Sequence, residues 1–446
     1  MSDTRTWTAR TWTARAGWLL DGNAPPRRNM RIVVADSRLV AVEPDDGGPT
    51  DRDFGDCVVV PGFVNAHTHL EFGTLATPTP PFVDPVPFSE WLHDLIATRR
   101  AAARERSAES LRDERRAGVT AGLAELSRSG VATVGEIARP DWPDETLDGP
   151  PESIVFLELL GLARSRVEPL MMLAKTHLDR AAASRDASRV NAASSVGWHA
   201  GLSPHAPYTV HPDLLAGACQ LSHDHRVPLA MHLAESWDEL ELLRSHSGAL
   251  VETLREFDAW DSAALPRGLT PGDYLQRLAT AWRALVVHGN FLAPPDWARL
   301  AEWRDRLSVA YCPRTHARFV PTRYPLAEML AAGVRVVLGT DSRATNPDLD
   351  FLSELRWVAS RHPEVDRAAL LRMATCDAAQ AMGLDDRGEL TVGRRADFVA
   401  LRGPAGIGGD PWEWLEDASW SVSAFCSGGK FSPVIVKNTL SEHRPR

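Results

Sequence analysis

Lysine is almost missing from this chain. Three occur in 446 residues, at Lys175, Lys430 and Lys437, so arginine supplies nearly all the positive charge. The net charge is −10 and no long basic run exists, which excludes nucleic acid and an anionic membrane surface as expected partners. The five cysteines (Cys57, Cys219, Cys312, Cys376 and Cys426) are scattered and form no CxxC pair, so they suggest neither a disulfide framework nor a cysteine metal site. No stretch approaches the roughly 20 apolar residues of a membrane span, and the first thirty residues hold no signal-peptide apolar block. A cytoplasmic enzyme is the expectation. With 44% apolar and 24% charged residues, the composition is that of a globular protein with room for one large domain and a smaller one. Composition leaves homo-oligomerisation open.

What the chain does contain is a repeated alternation. Apolar β-like runs occur at "CVVVPGFVNA", "VATVGEI", "SIVFLEL", "VGWHAGLSPH", "VPLAMHLAE", "ALVVHGN", "RLSVAYCP" and "VRVVLGTD". Helical stretches such as "SAESLRDERRAGVTAGLAELSRSG" and "PDLLAGACQLSHDHR" separate them. Eight strands alternating with helices predict a (β/α)₈ TIM-type barrel. A doubly wound open sheet would place a glycine-rich phosphate turn after its first strand, where "HTHLE" stands instead. The two ends read differently. "RIVVADSRLVAVEP" is a hairpin with a turn at Asp36-Ser37, and "WSVSAFCSGGKFSPVIVKNTL" is another with Gly428-Gly429 at its turn. We therefore expect a discontinuous β-sandwich domain from residues 1–60 plus 388–446, flanking a barrel of residues 61–387. The repeat "TWTARTWTAR" puts Trp7 and Trp12 an odd number of residues apart, so only one copy can keep register with a neighbouring strand.

Chemistry in such a barrel gathers at the C-terminal ends of its strands. The first end carries His67 and His69, the fourth His205, the fifth His232 with Glu235 beyond, the sixth His288 and the eighth Asp341. Residues two apart in extended backbone leave on one face, so His67 and His69 can share a metal ion. Three imidazoles and a carboxylate, from His67, His69, His232 and Asp341, suit one divalent ion, Zn²⁺ first and Fe²⁺ second. Such an ion lowers the pKa of a bound water towards neutrality. Glu235 is placed as the acid–base relay, and His288 to hold that water or orient Asp341. Glu71 and Glu136 are read as supporting residues. His177, His211, His223, His225, His246 and His362 are read as surface or capping residues.

"PGFVNAHTHLE", "SPHAPYTV", "MHLAES", "VVHGN", "YCPRTHARF", "GTDSRATNPDLD" and "GLDDRGELTVGRRADFVAL" together resemble the amidohydrolase superfamily. The branch they are most similar to is the mononuclear-metal aminohydrolases, which act on S-adenosylhomocysteine, aminodeoxyfutalosine, cytosine, guanine or triazines. The resemblance covers about residues 30 to 440. It implies the same ligand set, a proton shuttle at Glu235, a catalytic role for His288 and Asp341, and substrate contact by His205. The implied substrate is a small amino-substituted heterocycle, foremost an adenosine derivative. Two loops depart from the pattern: Cys312-Pro313-Arg314-Thr315-His316 and Ser342-Arg343-Ala344-Thr345-Asn346. Arg314 and Arg343 are candidates to clamp a substrate carboxylate, with His316 beside them.

Other readings remain. A guanine-, cytosine- or pterin-type deaminase and a triazine chlorohydrolase share these ligands. A binuclear hydrolase needs an anionic bridge, commonly a carboxylated lysine at the end of strand four. Ser203-Pro204-His205 stands there, and Lys175 lies in a helical stretch. The zinc deaminases of nucleic-acid bases use His-x-Glu with a later Pro-Cys-x-x-Cys, which is lacking. A non-catalytic binding protein on the same barrel would have no need to keep Glu235 and every ligand.

Overall fold

The eight apolar runs become eight parallel strands. A computed structural model describes residues 11–75, 86–142, 149–190, 198–404 and 409–432. The barrel strands, numbered in chain order, are β1 (Phe63–Thr68), β2 (Val131–Ala138), β3 (Glu152–Leu159), β4 (His199–Pro204), β5 (Pro228–Leu233), β6 (Arg283–His288), β7 (Leu307–Tyr311) and β8 (Val336–Leu338). Each pairs with the next. An isolated parallel bridge between Thr68 and Asp341 brings β8 round to β1, so the sheet closes on itself. Asn65 fastens this seam: its Nδ2 donates to Thr340 Oγ1 at 2.8 Å, and its Oδ1 accepts from Thr340 N at 3.2 Å.

Alternation along the strands sorts two cores. Val64, Ala66, Ile154, Phe156, Leu285, Val287, Ala310 and Val337 fill the barrel interior, joined by Ala378, Ala379 and Met382 at and after the helix Cys376–Ala381. Their neighbours one residue away, such as Val155, Leu157, Val286 and Val309, face the surrounding helices. The barrel interior is thus apolar through its middle, with Glu152, Arg387 and Arg395 paired at its lower end and the histidines at the opposite mouth.

Both chain ends contribute to a second, eight-stranded mixed sheet. Thr11–Leu19 pairs with Arg27–Ala35 and Val58–Pro61, and the latter pairs with Phe398–Arg402 from the far end. The sheet encloses its own core, including Ile32, Val34, Val59, Phe398 and Cys426. Trp12 lies 4.8 Å from Phe431 between ring centres, and its indole nitrogen donates to Gly429 O at 3.0 Å. The second copy of the repeated segment therefore keeps the register, and the first lies outside the described residues. Both hairpins turn where expected, at Asp36-Ser37 and at Gly428-Gly429. Both glycines have positive φ, which a residue with a side chain adopts at a cost. These pairings support the proposed division into 1–60 plus 388–446 and 61–387.

Candidate active site

The strand ends turn sharply. Ala234, His288 and Asp341 all have φ between 53° and 68°, a left-handed conformation that costs a residue with a side chain about 1–3 kcal/mol. The surroundings hold each turn in place. Asp341 N donates to His67 O at 3.0 Å, and Tyr324 Oη donates to His288 O at 3.0 Å. The Glu239 carboxylate accepts from Ala234 N at 2.8 Å and Glu235 N at 2.9 Å, while Asn290 Nδ2 donates to Glu235 O at 2.9 Å.

These turns aim the side chains at one point. Ligand atoms of His67, His69 and His232 lie within 4.8 Å of one another, and those of His232, Glu235 and His288 do likewise. Asp341 Oδ1 is 3.5 Å from His67 Nε2 and 3.7 Å from His69 Nε2. Its other oxygen accepts from Thr345 Oγ1 at 2.7 Å, and Thr345 in turn meets Thr315 at 2.9 Å. Neither ring nitrogen of His67 or His232 has a hydrogen-bond partner among the described residues, although both rings are buried. Unpaired buried nitrogens of this kind are costly unless something binds them. The donor set of three imidazoles and one carboxylate oxygen fits a divalent ion.

Electrostatics favour the same use. Burial pushes His67 and His288 down to about 3, and lowers His69, His232 and His205 as well, so all five rings keep free lone pairs at neutral pH. Burial, with Asp341 and Glu239 nearby, raises Glu235 well above the usual carboxylate range. Its Oε1 sits 3.3 Å from His288 Nε2. A carboxyl that binds a proton readily beside an imidazole is the arrangement a proton relay requires. His205 adjoins the cluster, its ring 5.2 Å from that of His232, with Nδ1 2.7 Å from Thr209 Oγ1.

Three residues read as substrate contacts are engaged elsewhere. Arg314 Nε donates to Glu354 and Nη2 to Asp348, both at 2.7 Å, in a buried ion pair. Arg343 Nη1 donates to both oxygens of Glu125 at 2.9 Å, and its Nε to Leu75 O. His316 packs against Tyr311 and Tyr324, with ring centres 5.9 and 5.3 Å away, and Tyr311 belongs to the outer core. The carboxylate clamp thus loses its support, because each guanidinium already neutralises an acid of this chain. His177, His246 and His362 are buried, the last two at helix C-caps, and His211 caps a helix start, its Nδ1 accepting from Asp213 N. Glu136 is a support as expected, accepting from Thr68 Oγ1 and Leu70 N at 2.9 Å.

The amidohydrolase family profile matches residues 58–429. The chain belongs to the amidohydrolase family. A 5-methylthioadenosine/S-adenosylhomocysteine deaminase of Moorella thermoacetica is 30% identical over 83% of this chain and 80% of its own. An aminodeoxyfutalosine deaminase of Deinococcus radiodurans is 28% identical over 86% of each. In structure, the aminofutalosine deaminase of Helicobacter pylori, in complex with methylthio-coformycin, superposes with a TM-score of 0.77 at 22% identity. The match covers 94% of this chain and all of that one. The two chains therefore share one fold over nearly their whole length.

Several supporting residues of this amidohydrolase were not read from sequence: Asn65, Glu239, Asn290 and Thr345. Only Glu239 carried a local signal. Ser236-x-x-Glu239 has capping-box spacing at the start of the helix Trp237–Ser245, and Ser236 Oγ indeed accepts from Glu239 N.

Proposed function

We propose that this amidohydrolase is a metal-dependent hydrolytic deaminase of an amino-substituted heterocycle, most favourably an adenosine derivative. The observation that carries it is the convergence of His67, His69, His232 and Asp341, with their unpaired nitrogens, beside the Glu235–His288 pair. Relatives named as deaminases of adenosine-type substrates over most of their length support the choice of reaction.

A divalent ion held by these four residues, Zn²⁺ before Fe²⁺, would lower the pKa of a water molecule enough for it to attack at neutral pH. The chain's own groups do the rest. Glu235, kept protonatable by burial, takes one proton from the attacking water and delivers it to the ring nitrogen, then passes the proton of the added hydroxyl to the departing amine, which leaves as ammonia. His288 faces Glu235 at 3.3 Å and, held neutral by burial, steadies the water and the charge that develops. His205 lines the wall next to His232 and contacts the heterocycle. Glu239 and Asn290 fix the backbone on either side of Glu235, so the relay needs no reorganisation when substrate arrives.

Among the described residues, no helix is long and apolar enough to cross a membrane. The five cysteines are all buried and free, which supports a reducing compartment such as the cytoplasm. An ammonia-release screen of the zinc-loaded protein against adenosine derivatives, guanine, cytosine, pterins and aminotriazines tests this reading. Turnover of an adenosine derivative above the others is the expected result. Release from none of them would overturn it.

A further inference from the structure

Glu158 is the last inward-facing residue of β3. Ile154 and Phe156, four and two residues before it, belong to the barrel interior, and Val155, Leu157 and Leu159 belong to the outer core. Alternation therefore directs the Glu158 side chain into the barrel at its C-terminal end. Glu158 pairs in register with Ser203, two residues before His205, and His205 N donates to Leu159 O at 3.2 Å. The two side chains are neighbours on adjacent strand ends. The Glu158 carboxylate acts electrostatically on both His205 and Tyr208, whose rings lie 6.1 Å apart.

The carboxylate is half-buried and has no hydrogen-bond or ion-pair partner among the described residues. That contrasts with the other acids around the mouth. Glu71 is paired with Arg99, Glu136 with Thr68 and Leu70, Glu239 with two backbone amides, and Glu354 with Arg314. Its oxygens are not among the buried polar atoms left unpaired, so solvent serves them until a ligand offers donors.

We propose that Glu158 is a specificity-determining residue that accepts hydrogen bonds from a donor-bearing substituent of the substrate, while His205 contacts the heterocycle itself. This rests on the deaminase reading and sharpens it. The group received at this wall is a hydroxyl pair of a sugar or an ammonium on the side chain attached to that sugar. A carboxylate directed at the same wall meets repulsion. The two arginines that would have offset it, Arg314 and Arg343, are spent on Glu354, Asp348 and Glu125.

Metal-loaded wild type, Glu158→Gln and Glu158→Ala would be compared for kcat/KM on adenosine, 2′-deoxyadenosine, 3′-deoxyadenosine, 5′-methylthioadenosine and S-adenosylhomocysteine. Metal content and thermal midpoint serve as controls for folding. For substrates carrying the recognised donor, Glu158→Ala is expected to lower kcat/KM about 10- to 100-fold, leaving analogues that lack it within about threefold. Selective loss across the deoxy series assigns the hydroxyls, and selective loss on S-adenosylhomocysteine over methylthioadenosine assigns the ammonium. A uniform fall on every substrate, or no change on any, overturns the role of Glu158 and leaves the deaminase reading standing. A wild type inert on all five removes the parent reading and this assignment with it.

Discussion

Replacing Glu235 by glutamine keeps its shape and removes its capacity to carry a proton. Because Glu235 belongs to the His232–Glu235–His288 group and not to the four proposed ligands, Glu235→Gln should retain the metal and lose about 10²- to 10⁴-fold in kcat. Metal analysis alongside ammonia release checks both halves, and full activity would remove Glu235 from the mechanism. The histidines make a second prediction at this scale. A buried ring whose folded pKa lies below its unfolded value stays neutral as pH falls, and protonates only on further acidification. In metal-free protein, the rings of His67 and His288, held near 3, should therefore show no NMR titration between pH 7.5 and 5. His93, raised by Glu256 and Asp94, should already be titrating in that range and serves as the internal reference. Titration of His67 near its ordinary value would mean the cluster is wetter than described. The histidines that the structure brings together are legible in the sequence, since strand-end position alone picks them out. It misjudged Arg314 and Arg343, whose partners Glu354, Asp348 and Glu125 stand 34 to 218 residues away and cannot be paired by local pattern.

The barrel strands were legible because fully buried parallel strands read as continuous Val- and Leu-rich runs bounded by polar turns. Even β8, only three residues long, was marked by "VRVVLGTD", with Asp341 three residues past its end. What could not be read is how the ends are held. Asn65 on β1 and Thr340 after β8 join across 275 residues, and nothing near either announces the other. Asn65→Ala should leave Thr340 without its buried partner and destabilise the fold by about 1–3 kcal/mol. A lowered denaturant midpoint at unchanged m-value is the expected readout, and an unchanged midpoint would show that the seam does not depend on this pair. Thr345 acts on chemistry more than on stability. Its hydroxyl holds the second oxygen of Asp341, so Thr345→Val should weaken metal affinity about 10- to 100-fold. Competition with a metal indicator measures it, and wild-type affinity in Thr345→Val would deny Thr345 that role.

Across the whole molecule, buried titratable groups gather in two places: the histidines and Glu235 at the mouth, and an ion-pair network of Glu152, Arg387, Arg395 and Asp397 where the opposite end of the barrel meets the terminal β domain. A metal bound at the mouth links distant segments, from His67 to Asp341, and must stabilise the native state by mass action. Chelation should lower the thermal midpoint by several degrees and re-addition of Zn²⁺ should restore it. A midpoint indifferent to chelator would place the metal elsewhere. The most direct test of the account is anomalous diffraction from crystals of the metal-loaded protein at the zinc edge. One peak per chain, bounded by His67, His69, His232 and Asp341, is the predicted result. Two peaks, or a peak away from those four side chains, would contradict it.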